Sequence, residues 1–124
     1  MHPHRLGELG ERLACLWLRC CGFAVLRTRF RKLRAEVDIV ARSGGVLHVV
    51  EVKTRTRFSH GGPLGAVGRT KRRQQVKVAR ELLGLPGCRG CVISFDVIEV
   101  WLQPRPTLRH LVDAWRAPED GWVS

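Results

Sequence analysis

Glu36-Val37-Asp38-Ile39-Val40-Ala41-Arg42-Ser43-Gly44-Gly45-Val46-Leu47-His48-Val49-Val50-Glu51-Val52-Lys53 is the stretch on which the fold turns. Two runs rich in Val and Ile flank Ser43-Gly44-Gly45, and a short glycine turn between β-forming runs predicts a hairpin. Side chains alternate along a strand, so Glu36 and Asp38 are expected on one face of the first strand, and Glu51 and Lys53 on one face of the second. His48 has the opposite parity to Glu51 and is expected to point away from it. A carboxylate set between valines is unusual, because burying an unpaired charge is costly. If Asp38 lies across the hairpin from Glu51, two carboxylates meet where one hard divalent cation would find oxygen ligands, with a backbone carbonyl and waters completing the shell. Such a cation acidifies a bound water, and Lys53 would orient that water or offset charge on a phosphate. Taken alone, the Glu51-Val52-Lys53 triplet is weak, since most such triplets are ion pairs on a solvated face.

Upstream of the hairpin, Leu6, Leu9, Leu13, Leu16, Trp17 and Cys20 recur every three or four residues and predict one face of an amphipathic helix, which Gly22 stops. Phe23 to Arg31 is β-forming, and Arg27, Arg29 and Arg31 alternate along it as a basic face. Downstream, four glycines and a proline make 56–68 a loop. Val76, Ala79, Leu82 and Leu83 then space a helix over 70–83 that opens with Lys71, Arg72 and Arg73. Residues 91–102 form the last strong strand, broken by Pro104 and Pro106, with 107–115 as a short closing element. The order αβββαβ predicts an α/β domain, a mixed β-sheet flanked by helices. Trp17, Trp101 and Trp115 are expected in the core. His60 and His110 have no partner at ligand spacing and are given no role.

The 124 residues suit a single domain, 1–124, with a short basic segment at 1–5 and a polar tail at 116–124. No run approaches the roughly 18 apolar residues of a membrane span. The first residues carry no apolar core with a small-residue cleavage site, so a cytoplasmic protein with no membrane partner is expected. Twenty-two Lys and Arg against eleven Asp and Glu give +11, a field that attracts polyanions, nucleic acid foremost. Eighteen of those cations are arginine, which a GC-rich genome also produces without any ligand. The five cysteines are odd in number, which argues against a disulfide framework. Cys88 and Cys91 have a zinc-knuckle spacing, but the adjacent pair Cys20-Cys21 suits tetrahedral ligation poorly, so reduced thiols are expected.

Gly7-Glu8-Leu9-Gly10-Glu11-Arg12-Leu13-Ala14, Glu36-Val37-Asp38-Ile39-Val40, Val50-Glu51-Val52-Lys53-Thr54-Arg55 and Phe95-Asp96-Val97 occur in an order that resembles the YraN-like family. These are small, functionally uncharacterised bacterial proteins, related to the PD-(D/E)XK nucleases and archaeal Holliday-junction resolvases. The resemblance runs from about Leu6 to Trp115 and implies a restriction-endonuclease-like fold. It also implies Asp38 and Glu51 as ligands of Mg²⁺ or Mn²⁺, with the Val52 carbonyl as a third, and Lys53 as the catalytic lysine. Glu11 would be a helix acid added to the site, and Glu36 a support for the metal shell. DNA, branched DNA included, is the expected partner, with Arg27, Arg29, Arg31, Arg55, Arg57, Lys71, Arg72 and Arg73 on its phosphates. A homodimer would suit cutting two strands, although no residue demands it. Three positions depart from the family: Ala35 replaces a common glycine, Arg29 a common asparagine and Ser94 a common arginine. A binding module without chemistry, or a basic partner of an anionic assembly, are the competing expectations.

Overall fold

The computed structural model describes residues 3–32, 34–56 and 68–117. Its elements are α1 (Pro3–Cys20), β1 (Ala24–Lys32), β2 (Ala35–Ser43), β3 (Val46–Arg55), α2 (Arg69–Leu82), β4 (Val92–Trp101) and β5 (Thr107–Trp115). The five strands form one sheet in sequential order, β1-β2-β3-β4-β5. Only β3 and β4 are parallel, joined by the crossover that carries α2. The other neighbours are antiparallel. The mixed α/β sheet is as expected, but the order is αβββαββ. The closing element is a nine-residue strand, which covers the edge β4 would otherwise leave unpaired.

The hairpin forms as its sequence dictates. Ser43 pairs with Val46 across a two-residue turn in which Gly44 has φ +58, a conformation that costs a residue with a Cβ. Alternation along β3 then divides the core in two. Leu47 and Val49 pack with Val76, Val78, Ala79 and Leu82 of α2, while Val50 packs with Ala14, Cys15 and Leu18 of α1. The helices therefore cover opposite faces of the sheet. Phe95 and Trp115 stack at 4.0 Å on the α2 side. Among the described residues no helix is long and apolar enough to cross a membrane.

Two sequence expectations are corrected on α1. Its most buried positions are Ala14, Cys15 and Leu18, whereas Leu16 is 58% and Trp17 43% exposed. Cys20 is exposed too. The helix lays Ala14, Cys15 and Leu18 on the sheet with Leu13 packed beside them, and turns Leu16 and Trp17 away, so the buried face is rotated from the expected stripe. Gly10 marks the closest point: a Cβ there would lie 1.9 Å from Thr54 Oγ1 and 2.9 Å from Thr54 Cβ. Trp101 is only half-buried, and Trp115 alone of the expected three lies in the core.

Gly10→Ala should therefore destabilise the protein by about 1–3 kcal/mol in urea unfolding, despite the better helix propensity of alanine. Thr54→Ala, which removes the Oγ1, should restore part of that loss in a double-mutant cycle.

Candidate functional site

Strands β2 and β3 part company at Ile39 and Val50, their last pair. Beyond it β2 stays with β1 down to Ala35, while β3 continues to Arg55 paired with β4. Asp38 and Glu51 stand one step past that last pair, facing each other at the mouth of the fork. The Asp38 Oδ2 crosses the gap to accept the Val52 N–H at 2.8 Å. Val52 is thus tied to the site through its amide, the expected role having been given to its carbonyl.

Glu51 is 4% exposed on the α2 face. Its Oε1 accepts from Lys71 of α2 and lies 3.4 Å from Lys53 Nζ. Gln75 Nε2 reaches Oε2 at 3.4 Å. Among the described residues Asp38 has no such cationic partner in hydrogen-bond contact, and burial together with the Glu51 charge pushes its carboxyl up to about 7, against the opposing pull of the Val52 N–H. Glu11 adds to that push and Lys71 opposes it. The convergence of Asp38, Glu51 and Lys53 anticipated from strand parity is present.

The other expected site residues are distributed differently. Glu11 approaches closely enough for its charge to act on Asp38, yet its carboxylate is held by Arg29 Nε at 2.9 Å. Glu36 turns outward, 45% exposed, 3.5 Å from Arg31, and does not share a face with Asp38. The alternation of β2 slips here: Val37 and Val40 both belong to the α2 core, whereas Ile39 belongs to the α1 core. On β1 the matching irregularity is Arg29, with φ +49. A left-handed backbone suits asparagine far better than arginine, so Arg29 is held in a strained conformation. Arg29 also reaches Glu8 at 3.5 Å, so the three arginines of β1 do not form one uniform basic face.

Arg55 is turned inward on Glu99 at 2.8 Å, and Arg72 lies 5.1 Å over the Trp115 ring. Arg27, Arg31 and Arg73 are exposed. Arg57, His60 and the loop residues beside them lie outside the described residues, as does the tail from 118. The five cysteines are free thiols. Among the described residues no group of three or more His, Cys, Asp or Glu side chains is arranged to hold a metal by itself, so the donors at the fork are two carboxylates.

A second buried carboxylate was not anticipated. Asp96, on the α1 face of β4, takes His48 Nδ1 at 2.6 Å and His110 Nε2 at 2.8 Å on Oδ2. Its Oδ1 takes the Ser94 hydroxyl at 2.6 Å and the Asp113 N–H at 3.1 Å. Phe23 packs edge-on against His48. His48 does point away from Glu51, but toward this hub, and His110 has a partner after all. Burial would raise Asp96, but the bonds from His110, His48, Ser94 and Asp113 outweigh it and hold the carboxyl well below the usual range. The signal available in sequence was the one used for Glu51, an acid inside an apolar strand, and it applies equally to Asp96 and Glu99.

A mixed α/β sheet with a carboxylate pair at its fork, Glu51 buried and Asp38 partly so, and a lysine beside it is the class that fold and site define. Residues 10–100 match the family described as "Uncharacterised protein family UPF0102", and the chain belongs to that family. It is 45% identical over 112 residues to a UPF0102 protein of Anaeromyxobacter dehalogenans, covering 89% of this chain and 83% of that one. It is 40% identical over 113 residues to one of Geotalea daltonii, covering 89% and 88%, and 36% identical over 102 residues to one of Caldicellulosiruptor saccharolyticus, covering 82% and 86%. At this level, a family of uncharacterised proteins, the resemblance drawn from the motifs holds.

The partly buried Asp38 and the buried Asp96 should respond oppositely to pH. The folded-state value of Asp38 lies above its unfolded one of 3.8, so the penalty is absent below that value, grows as pH rises to about 7 and is constant above. Asp38→Asn should leave stability at pH 4 unchanged and raise it at pH 8 by on the order of 2 kcal/mol in urea unfolding. Asp96 has the opposite sign: its contribution is present above the unfolded value and lost as pH falls below it. Asp96→Asn should cost about 2–4 kcal/mol at pH 7, because it leaves buried donors unpaired.

Proposed function

We propose that this chain is a divalent-metal-dependent, endonuclease-like protein of restriction-endonuclease-like type, similar to PD-(D/E)XK nucleases and Holliday-junction resolvases. It acts on or binds DNA, branched DNA included. One observation carries the reading: Asp38 and Glu51 converge at the open fork of the sheet, burial and the Glu51 charge hold the Asp38 carboxyl up at about 7, and Lys53 stands two residues from Glu51 on the same face. Like charges brought together out of water cost stability, and perturbed carboxylates of this kind collect at functional sites.

The donor set fits a hard cation. Carboxylate oxygens with no thiolate or imidazole beside them among the described residues suit Mg²⁺ or Mn²⁺ rather than zinc. Asp38 and Glu51 would hold it, the Val52 carbonyl being the nearest backbone candidate. When bound, such a cation supplies a more acidic water and neutralises charge on a phosphodiester. The chain's own residues do the rest. Lys53 holds a positive charge at the mouth of the fork, where a pentavalent phosphate would develop its extra negative charge. Glu11, released from Arg29, is within electrostatic reach of Asp38. Exposed Arg27, Arg31 and Arg73, with a net charge of +11, favour phosphate backbones without reading bases. A homodimer would present two such sites to two strands.

The second reading, a nucleic-acid-binding module without chemistry or a basic partner of an anionic assembly, draws support from the lysines that already neutralise Glu51. Purified protein incubated with four-way and linear DNA separates them. Cleavage is expected only with Mg²⁺ or Mn²⁺, reduced about a hundredfold or more in Lys53→Ala and Glu51→Gln. Tight, salt-dependent binding with no cleavage under any metal favours the module, and no binding to any nucleic acid leaves the protein-partner reading.

A further inference from the structure

Glu51 is too buried to stand without a counter-charge, and two lysines supply it from different directions. Lys53 is on the same strand, two residues on, and cannot move far from Glu51 whatever happens at the site. Lys71 arrives from another element, the first turn of α2, and makes the closer contact with the same oxygen, Oε1. Its side chain is 45% exposed, so the ammonium can swing into solvent at little cost.

The local surroundings of Lys71 explain why it seeks an anion. The first turn of α2 has no acidic residue, and its N-cap, Gly68, provides no side-chain cap. Arg72 and Arg73 follow directly. A helix N-terminus carries partial positive charge, so a lysine there is repelled unless a carboxylate or phosphate lies opposite. Glu51 is that carboxylate. The Lys71 charge also acts on Asp38, drawing it down against burial and against Glu51. One ammonium thus sits within electrostatic reach of both acids, as a divalent cation bound between them would.

We propose, on the metal-dependent reading above, that Lys71 is a place-holder for the divalent ion: an internal counter-cation on Glu51 that the metal displaces and that then turns to a phosphate of the substrate. A divalent cation on Glu51 and an ammonium on the same oxygen repel each other strongly at contact distance, so the two compete. Once Glu51 is taken, a phosphate is the remaining anion that can satisfy the start of α2. Metal and DNA binding are therefore linked through one side chain: each favours the position of Lys71 that admits the other. The fork is kept folded and neutralised without metal, and becomes able to grip a phosphate when metal arrives.

Mn²⁺ titration calorimetry at pH 8 on the parent, Lys71→Met and Lys71→Gln tests this without any turnover. Removing the competitor should tighten Mn²⁺ binding at least fivefold in both variants. In the parent, Mn²⁺ should strengthen binding of a four-way DNA junction by more than it does in Lys71→Met, measured by fluorescence anisotropy with Glu51→Gln as the metal-blind control. Mn²⁺ affinity unchanged or weakened in both variants overturns the place-holder while leaving the metal reading intact. Absence of Mn²⁺ binding in all three proteins overturns both. Tightened binding in the variants with no cleavage by the parent upholds the place-holder and removes the catalytic reading alone.

Discussion

Everything in this molecule hangs on the alternation of β3. The strand has a helix on each face, so its residues are divided between two cores. Val50 is committed to α1, Leu47 and Val49 to α2. Glu51 and Lys53 inherit the α2 side because they continue the parity of two fully buried residues. A shift by one would drive Val50 out of its core and bring the carboxylate against α1, where Gly10 and Thr54 leave no room. The geometry of the acidic site is therefore enforced by apolar packing several residues away, and its precision does not depend on the charges themselves.

The charges work against the fold instead. Asp38 reaches into the fork and is fixed there by the Val52 amide, yet it faces Glu51 and lies near Glu11. Each of these raises the cost of its ionised form. The surrounding cations are allotted elsewhere: Lys71 and Lys53 to Glu51, Arg29 to Glu11 and Glu8, Arg55 to Glu99. Strain accompanies the electrostatics, since Arg29 occupies a left-handed conformation opposite the place where β2 loses its alternation. Local rules are broken on both strands at one spot, and such clustering is the mark of a position shaped for something other than stability.

The hairpin was legible because three independent signals coincide there: β-branched runs, a glycine turn and a fixed period of two. The Asp38–Glu51–Lys53 convergence followed from them. The face of α1 was only partly legible, since periodicity weights the large apolar residues, whereas the buried face includes the small Gly10, Ala14 and Cys15 alongside Leu18. Leu16 and Trp17 match the stripe and are nevertheless exposed. The Glu36–Asp38 pairing failed for a related reason. Period two holds only while a strand is regular, and nothing in the residues of β2 announces the slip at Asp38. The fifth strand was hidden by Pro104 and Pro106, which end β4 but also turn the chain back so that 107–115 can pair with it. His110 was invisible because its partner, Asp96, sits 14 residues away on a neighbouring strand.

Asp38 and Asp96 together show how function and architecture can be told apart within one sheet. Both are aspartates in apolar strands, Asp96 buried and Asp38 partly so, and sequence alone gives them equal standing. Asp96 has every acceptor position answered: two imidazoles on one oxygen, a hydroxyl and an amide on the other. Its ionised form is the stable one, and it ties together residues from β3, β4 and β5. An ion or substrate has no lone pair left to address. Asp38 receives one amide and faces like charges, so its ionised form lacks what Asp96 has in full. The two lysines beside it are both engaged by Glu51. A carboxylate with every lone pair answered is a structural joint, whereas one that faces like charge with a single amide donor is costly to ionise, and burial and hydrogen bonding decide which of the two a strand aspartate becomes.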